Sequence, residues 1–194
     1  MINPLHSTPP EFSLSGQLLV AMPSMLDPSF SGSVIYLCEH SSKGAMGLIV
    51  NRPTDLSVRE LLGKVDLKVT SSFYEGFPVM FGGPVAGERG FVLHTGERVW
   101  GSSLLIAPDI HLTTSKDILE ALAQGQAPEN CLVTLGYAGW GEGQLEEELA
   151  QNAWLNVPAH LDVLFKLPLA ERFASAYGLL GIDPMHVSSF VGHA

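Results

Sequence analysis

Basic residues are scarce in this chain of 194 residues: Lys and Arg number 10 against 20 Asp and Glu, for a formal net charge of -10. The ten are scattered (Lys43, Arg52, Arg59, Lys64, Lys68, Arg89, Arg98, Lys116, Lys166, Arg172) and form no run. Non-specific binding to phosphate backbones or anionic lipid is driven by clustered cations, so this composition argues against direct nucleic-acid contact and membrane association. Cysteine is equally rare. Cys38 and Cys131 lack CxxC or zinc-like spacing and sit in strand-like runs, VIYLCEH and NCLVTLGY. They read as reduced, buried thiols, as expected of a cytoplasmic protein.

Long apolar runs are missing too, so no segment reads as a membrane-spanning helix. The opening MINPLHSTPPEF carries neither the basic n-region nor the apolar h-region of a secretory signal, and residues 1–12 are expected to form a flexible arm before a single domain over residues 13–194. The strong catalytic signatures are absent: no GxxxxGK[ST], no HExxH and no GxSxG. The histidines are scattered (His6, His94, His111, His160, His186, His193, besides His40), so neither a metal site nor a cofactor is expected.

What is present is core material. Hydrophobic residues make up 46% and charged residues 15%, which excludes a disordered chain. Continuous or alternating apolar segments predict strands at Gln17–Met22, Val34–His40, Gly47–Asn51, Val79–Phe81, Gly90–Thr95, Ser103–Ala107 and Cys131–Tyr137. Arg52-Pro53 is expected to stop the third of these. Helical spacing predicts helices at Ser57–Val65, capped by Ser57 with Glu60, at Thr114–Gln124, at Gln144–Ala153 and at Leu169–Leu180. Leu161–Phe165 reads as a strand or a helical turn. Strands dominate the first two-thirds with hairpin-length connections, which predicts an α+β fold; an α/β three-layer sandwich is the second choice.

Residues 136–155, GYAGWGEGQLEEELAQNAWL, are the most distinctive stretch. Gly139-Trp140-Gly141-Glu142-Gly143 has the look of a dinucleotide loop, but its third glycine follows the second by two residues instead of three. The acids Glu146, Glu147 and Glu148 would repel a phosphate at the helix start. Two readings remain open. Trp140 and Trp154 pack loop and helix onto the sheet, or Trp140, Glu142 and Gln144 edge a binding surface for a partner.

Other candidates are weaker. Cys38 and His40 would project from one face of a strand, a pair able to make a nucleophile or half a metal site; the plainer reading is a buried thiol beside a structural histidine. Asn51 and Arg52 lie at a strand end, where Arg52 pairs with a carboxylate such as Glu39 or grips an anionic ligand. Gly82-Gly83-Pro84 marks a strand terminus or a close backbone approach to a ligand. His94, facing with Val92, reads as structural.

Taken together, GQLLVAMPSMLDPSFSGSVIYLCEH, KGAMGLIVNRP, FGGPV with GFVLHT, LTTSKDILEAL, LGYAGWGEGQLEEELAQNAWL and the terminal GHA resemble the YqgE/AlgH family of small bacterial proteins, over nearly the whole chain. The resemblance implies an α+β fold with a bifurcated mixed sheet wrapped into a pseudo-barrel and flanked by helices. It implies no catalytic residue or cofactor. One branch takes its name from regulation of alginate production and is described as a transcriptional regulator. This sequence has no helix-turn-helix pattern and no basic recognition helix, so a regulatory role would run through a protein partner. The leading expectation is a non-enzymatic binding or regulatory protein using Arg52, Trp140, Glu142, Gln144 and the Gly82–Pro84 turn. The alternative is an enzyme or small-ligand binder with a cleft near Cys38, His40, Asn51 and Arg52.

Overall fold

A computed structural model describes residues 13–72 and 74–182; the arm expected at residues 1–12 and the terminal GHA lie outside them. Ten strands and four α-helices follow one another as β1 (Gln17–Ala21), β2 (Val34–Ser41), β3 (Gly44–Ile49), β4 (Pro53–Ser57), α1 (Val58–Lys64), β5 (Pro78–Phe81), β6 (Val85–Thr95), β7 (Ser103–Ala107), β8 (Ile110–Thr113), α2 (Lys116–Ala123), β9 (Cys131–Trp140), α3 (Gln144–Ala150), β10 (Trp154–Pro158) and α4 (Leu169–Gly178). A π-helical turn, Asp162–Lys166, precedes α4.

The strand order is β10-β1-β2-β3-β9-β6-β8-β7, with β5 and β4 branching off. The branch is made by β9. On one edge it pairs antiparallel with β6; on the other, its first half runs parallel to β5 through Met80 and Thr134, and its second half antiparallel to β3 through Ala45 and Trp140. One strand thus serves two neighbours on the same edge, and the sheet forks. Gly136, at φ 74°, lies between the halves. Leu132 and Tyr137 both face the interior although Tyr137 follows Leu132 by five positions, an odd offset, so this left-handed residue shifts the alternation as a bulge does.

Alternation then sorts the core into three. Leu18, Val20, Tyr36, Cys38, Leu48, Leu93 and Leu112 line the inside of the curled sheet, and the π-helical turn and α4 plug it with Val163, Leu164 and Tyr177. Outside, α1 and α2 cover Val92 and Val133, while α3 and the 22–33 loop cover Leu19, Ile35, Leu37 and Ala138. The curl brings the ends together: a Cβ on Gly16, just before β1, would stand 3.3 Å from Ala107 Cβ in β7. This is the α+β half-barrel with flanking helices, and the three-layer sandwich is not formed.

Local expectations hold where chemistry is local. Ser57 caps α1, and Glu60 returns to the Ser57 backbone N–H. Other expectations are corrected. β3 already ends at Ile49, ahead of Arg52-Pro53, and Pro53 instead opens β4, because the first residue of a strand can lack a ladder donor. Strand β8 was not expected. The third helix ends at Ala150, since Asn152 takes φ 55° and Trp154 begins β10 against β1.

Candidate functional site

The glycine–tryptophan stretch folds as a clamp on α3. Trp140 closes β9, is buried, stacks on Phe30 at 6.4 Å and meets Trp154 edge-on at 6.0 Å. Both indoles donate to Glu148 Oε2, at 2.9 Å from Trp140 and 2.8 Å from Trp154. Gln144 donates to the other oxygen of Glu148 at 2.9 Å and accepts the Gly141 N–H at 3.0 Å. His40 adds a second tether. The Leu14 N–H donates to its Nδ1 at 3.0 Å, which leaves the proton on Nε2, and Nε2 donates to Glu146 Oε1 at 2.8 Å. The Glu146 carboxyl is held below the usual carboxylate range, first by its own backbone N–H, against the opposing effect of desolvation, with the His40 bond adding to it. Two of the three acids at the head of α3 are therefore turned back to the sheet, whereas Glu142 stays exposed on the loop.

Asn51 and Arg52 organise a different loop. Asn51 accepts the Val34 N–H at 2.8 Å and donates to the Gly32 carbonyl at 2.9 Å. Arg52 donates to the carbonyls of Ser29 at 2.7 Å, Ser31 at 3.0 Å and Pro28 at 3.3 Å, and its guanidinium lies 5.8 Å from the Phe81 ring centroid. The expected Arg52–Glu39 pair is not formed; loop carbonyls take both Nη groups instead. Gly82 stands where the sheet divides: its carbonyl accepts from Ile49 N, and its N–H donates to the Leu135 carbonyl. A Cβ on Gly82 or Gly83 would collide with the backbone of Gly136 or Tyr137. The close approach expected at this turn is to another strand.

Cys38 and His40 do not share a face. The β2–β3 register shifts between Leu37 and Glu39. Cys38 therefore stays in the interior with Tyr36, and His40 comes opposite Ala45, which belongs to the outer cluster with Trp140. Simple alternation fails here because a bulge inserts one residue. Burial, with Glu39 adding, pushes the Cys38 thiol far above its ordinary value, so no thiolate arises there. His94 is fully buried, hydrogen-bonded to Thr113 Oγ1 at 2.8 Å and edge-on to Trp100 at 4.8 Å. Among the described residues, no group of three or more His, Cys, Asp or Glu could hold a metal.

Of the expected candidates, only Trp140 also borders an open groove of about 620 Å³ among the described residues. Its polar side chains include Glu39, Arg89, Tyr137 and Thr114; its apolar border includes Phe91 and Leu104. Arg89 lies 5.3 Å from the Phe91 ring centroid. Sequence reading missed this groove because its residues come from β2, β3, β6, β7, β8 and β9 and share no motif. One signal was available: in SLLIA of β7, Leu104 and Leu105 are adjacent, so one of them must point away from any single core face.

Comparison with known proteins agrees with this architecture. The AlgH-like family model matches residues 18–185. The chain belongs to the AlgH-like family. It is 53% identical over 182 residues to the UPF0301 protein of Cupriavidus metallidurans, covering 94% of this chain and 96% of that one. The solution structure of the AlgH protein from Pseudomonas aeruginosa superposes with a TM-score of 0.77 at 41% identity, covering 100% of both chains. A Corynebacterium diphtheriae protein shares the fold at TM-score 0.65 and 21% identity, covering 84% of this chain and 85% of that one. Within this AlgH-like chain, the tryptophans and glycines of the signature stretch fasten α3 and the forked sheet. No described helix is long and apolar enough to cross a membrane.

Proposed function

We propose that this AlgH-like chain is a non-enzymatic binding protein that receives an extended segment of a protein partner along the free edge of β7. The observation that carries this reading is that, among the described residues, β7 ends the sheet, pairs with β8 alone, and leaves Leu104 44% and Leu105 61% exposed. An exposed apolar edge strand presents unpaired N–H and C=O groups that a further strand can take up. The adjoining groove supplies side-chain recognition through Arg89, Glu39 and Tyr137. Trp140 contributes at the groove's border, while Glu142 and Gln144 sit exposed beside it.

The enzyme or ligand-cleft alternative has less support. Asn51, Arg52 and His40 are engaged in holding backbone and α3, and they do not meet. Two free cysteines suit the reducing cytoplasm. Any transcriptional role would act through the bound partner, because a charge of -10 disfavours phosphate contact.

A photo-crosslinker installed at Leu105 tests the reading in living cells. It should capture one extended peptide segment repeatedly, and Leu105→Lys should abolish capture from a second crosslinker at Leu104. Amides of residues 104–106 should gain hydrogen-exchange protection in the purified complex. Captured peptides that differ between experiments, or unchanged exchange in the complex, would sink the proposal.

A further inference from the structure

Arg172 is a buried cation with no anion beside it among the described residues. It stands on α4, 4% exposed, with Leu169 three residues before it and Ala176 four after, on the face that α4 turns to the interior. Its Nε donates to the Leu167 carbonyl at 3.1 Å and its Nη1 to the Val50 carbonyl at 2.7 Å. Nη2 makes no hydrogen bond among the described residues. Neither partner carries charge, so among the described residues the buried guanidinium has no counter-ion, and buried charges are ordinarily paired. Burial alone pulls its pKa down to about 10, which still leaves it protonated at neutral pH.

Arg172 also lines a cavity. A partly open recess of about 190 Å³ lies where β5 and the start of β9 meet the π-helical turn and α4, and its remaining walls are largely apolar: Met80, Leu132, Val133, Phe165 and Leu169 among them. The acidic hydrogens in the wall belong to Cys131 and Tyr74. Burial raises both pKa values, that of Cys131 to about 11, so neither group supplies a negative charge. The cavity is somewhat larger than one of about 150 Å³ that admits benzene. It therefore combines room for one ring or a short branched chain with one fixed positive charge carrying a spare donor.

We propose that this cavity binds a small monocarboxylate with an apolar body, its carboxylate held by Arg172. The acid supplies the counter-ion that the fold leaves out, and the guanidinium's planar donors suit a carboxylate. The body displaces water from an apolar wall. This site lies apart from the β7 edge, so it stands or falls independently of the partner-binding reading.

Calorimetric titration with phenylacetate and with its uncharged isostere phenylacetamide tests it, alongside methyl NMR of Leu132, Val133 and Leu169. Phenylacetate should bind saturably and shift those methyls, and phenylacetamide should bind at least tenfold more weakly. Arg172→Met should reduce the acid to the level of the amide while the methyl spectrum stays dispersed. Equal affinity for acid and amide would leave only an apolar void and overturn the proposal. So would silence of the wild-type protein toward phenylacetate, isobutyrate and benzoate alike, a result that does not depend on whether the variant folds.

Discussion

Trp140 and Trp154 donate their indole N–H groups to a single oxygen, Glu148 Oε2, at 2.9 and 2.8 Å. One carboxylate on α3 thus satisfies two aromatic donors from the ends of β9 and β10. Glu148→Ala leaves both without a partner, and each unpaired buried donor costs about 1–3 kcal/mol. Urea unfolding should show a loss of about 2–4 kcal/mol for Glu148→Ala, with Trp140→Ala falling by about 3–5 kcal/mol. Stability unchanged by Glu148→Ala would mean that the shared carboxylate is ornamental.

The fork in the sheet depends on Gly83. It sits at φ 151°, and a Cβ there would overlap the Tyr137 carbonyl. Gly83→Ala should cost about 3 kcal/mol or more, in the range reserved for overpacking against backbone. Gly87, on the same strand–turn segment, has nothing within 4 Å of its virtual Cβ. Gly87→Ala should stay within about 0.5 kcal/mol. Similar losses at the two sites in thermal unfolding would refute the close-approach argument.

Both thiols should be inert in the native state. Burial raises the pKa of Cys38 and Cys131, and only the thiolate attacks a disulfide reagent. Reaction with Ellman's reagent at pH 8 should be at least 100-fold slower before denaturation than after it, with both cysteines titrating once the chain unfolds. A fast native reaction at Cys38 would reopen a redox role for β2.

Stability should fall on mild acidification. His94 has its pKa held below the usual 6.5, chiefly by burial. The unfolded chain then takes up a proton at a higher pH than the native one. The contribution of this group is fully present above pH 6.5 and is lost as pH falls from there toward the lowered native value. Urea midpoints measured from pH 8 to pH 5 should decline below about pH 6.5, and His94→Gln should flatten that segment of the curve. A wild-type profile that is level across this window would contradict the assignment.

The legible parts of the fold are those set by neighbours in sequence. The Ser57–Glu60 cap, the apolar run of β1 and the helical face of α4 follow from residues a few positions apart. The hidden parts depend on pairing at a distance. The bulge beside Cys38 reverses the side on which His40 emerges, and β10 forms only because β1 offers an edge to Trp154–Pro158. Arg52 looked available to a ligand, yet loop carbonyls some twenty residues upstream claim it.

By itself the sequence determined the family, the strand-rich α+β class, the lack of any run of basic residues and the glycine–tryptophan stretch as its most distinctive feature. Each is a property of composition or short-range spacing. Tertiary structure alone decided that this stretch is a clamp, that β9 forks the sheet and, among the described residues, that β7 is left with a free edge and Arg172 is buried without an anion. Those outcomes depend on which strand lies beside which and on what occupies the space around each charge, and neither is written in local periodicity.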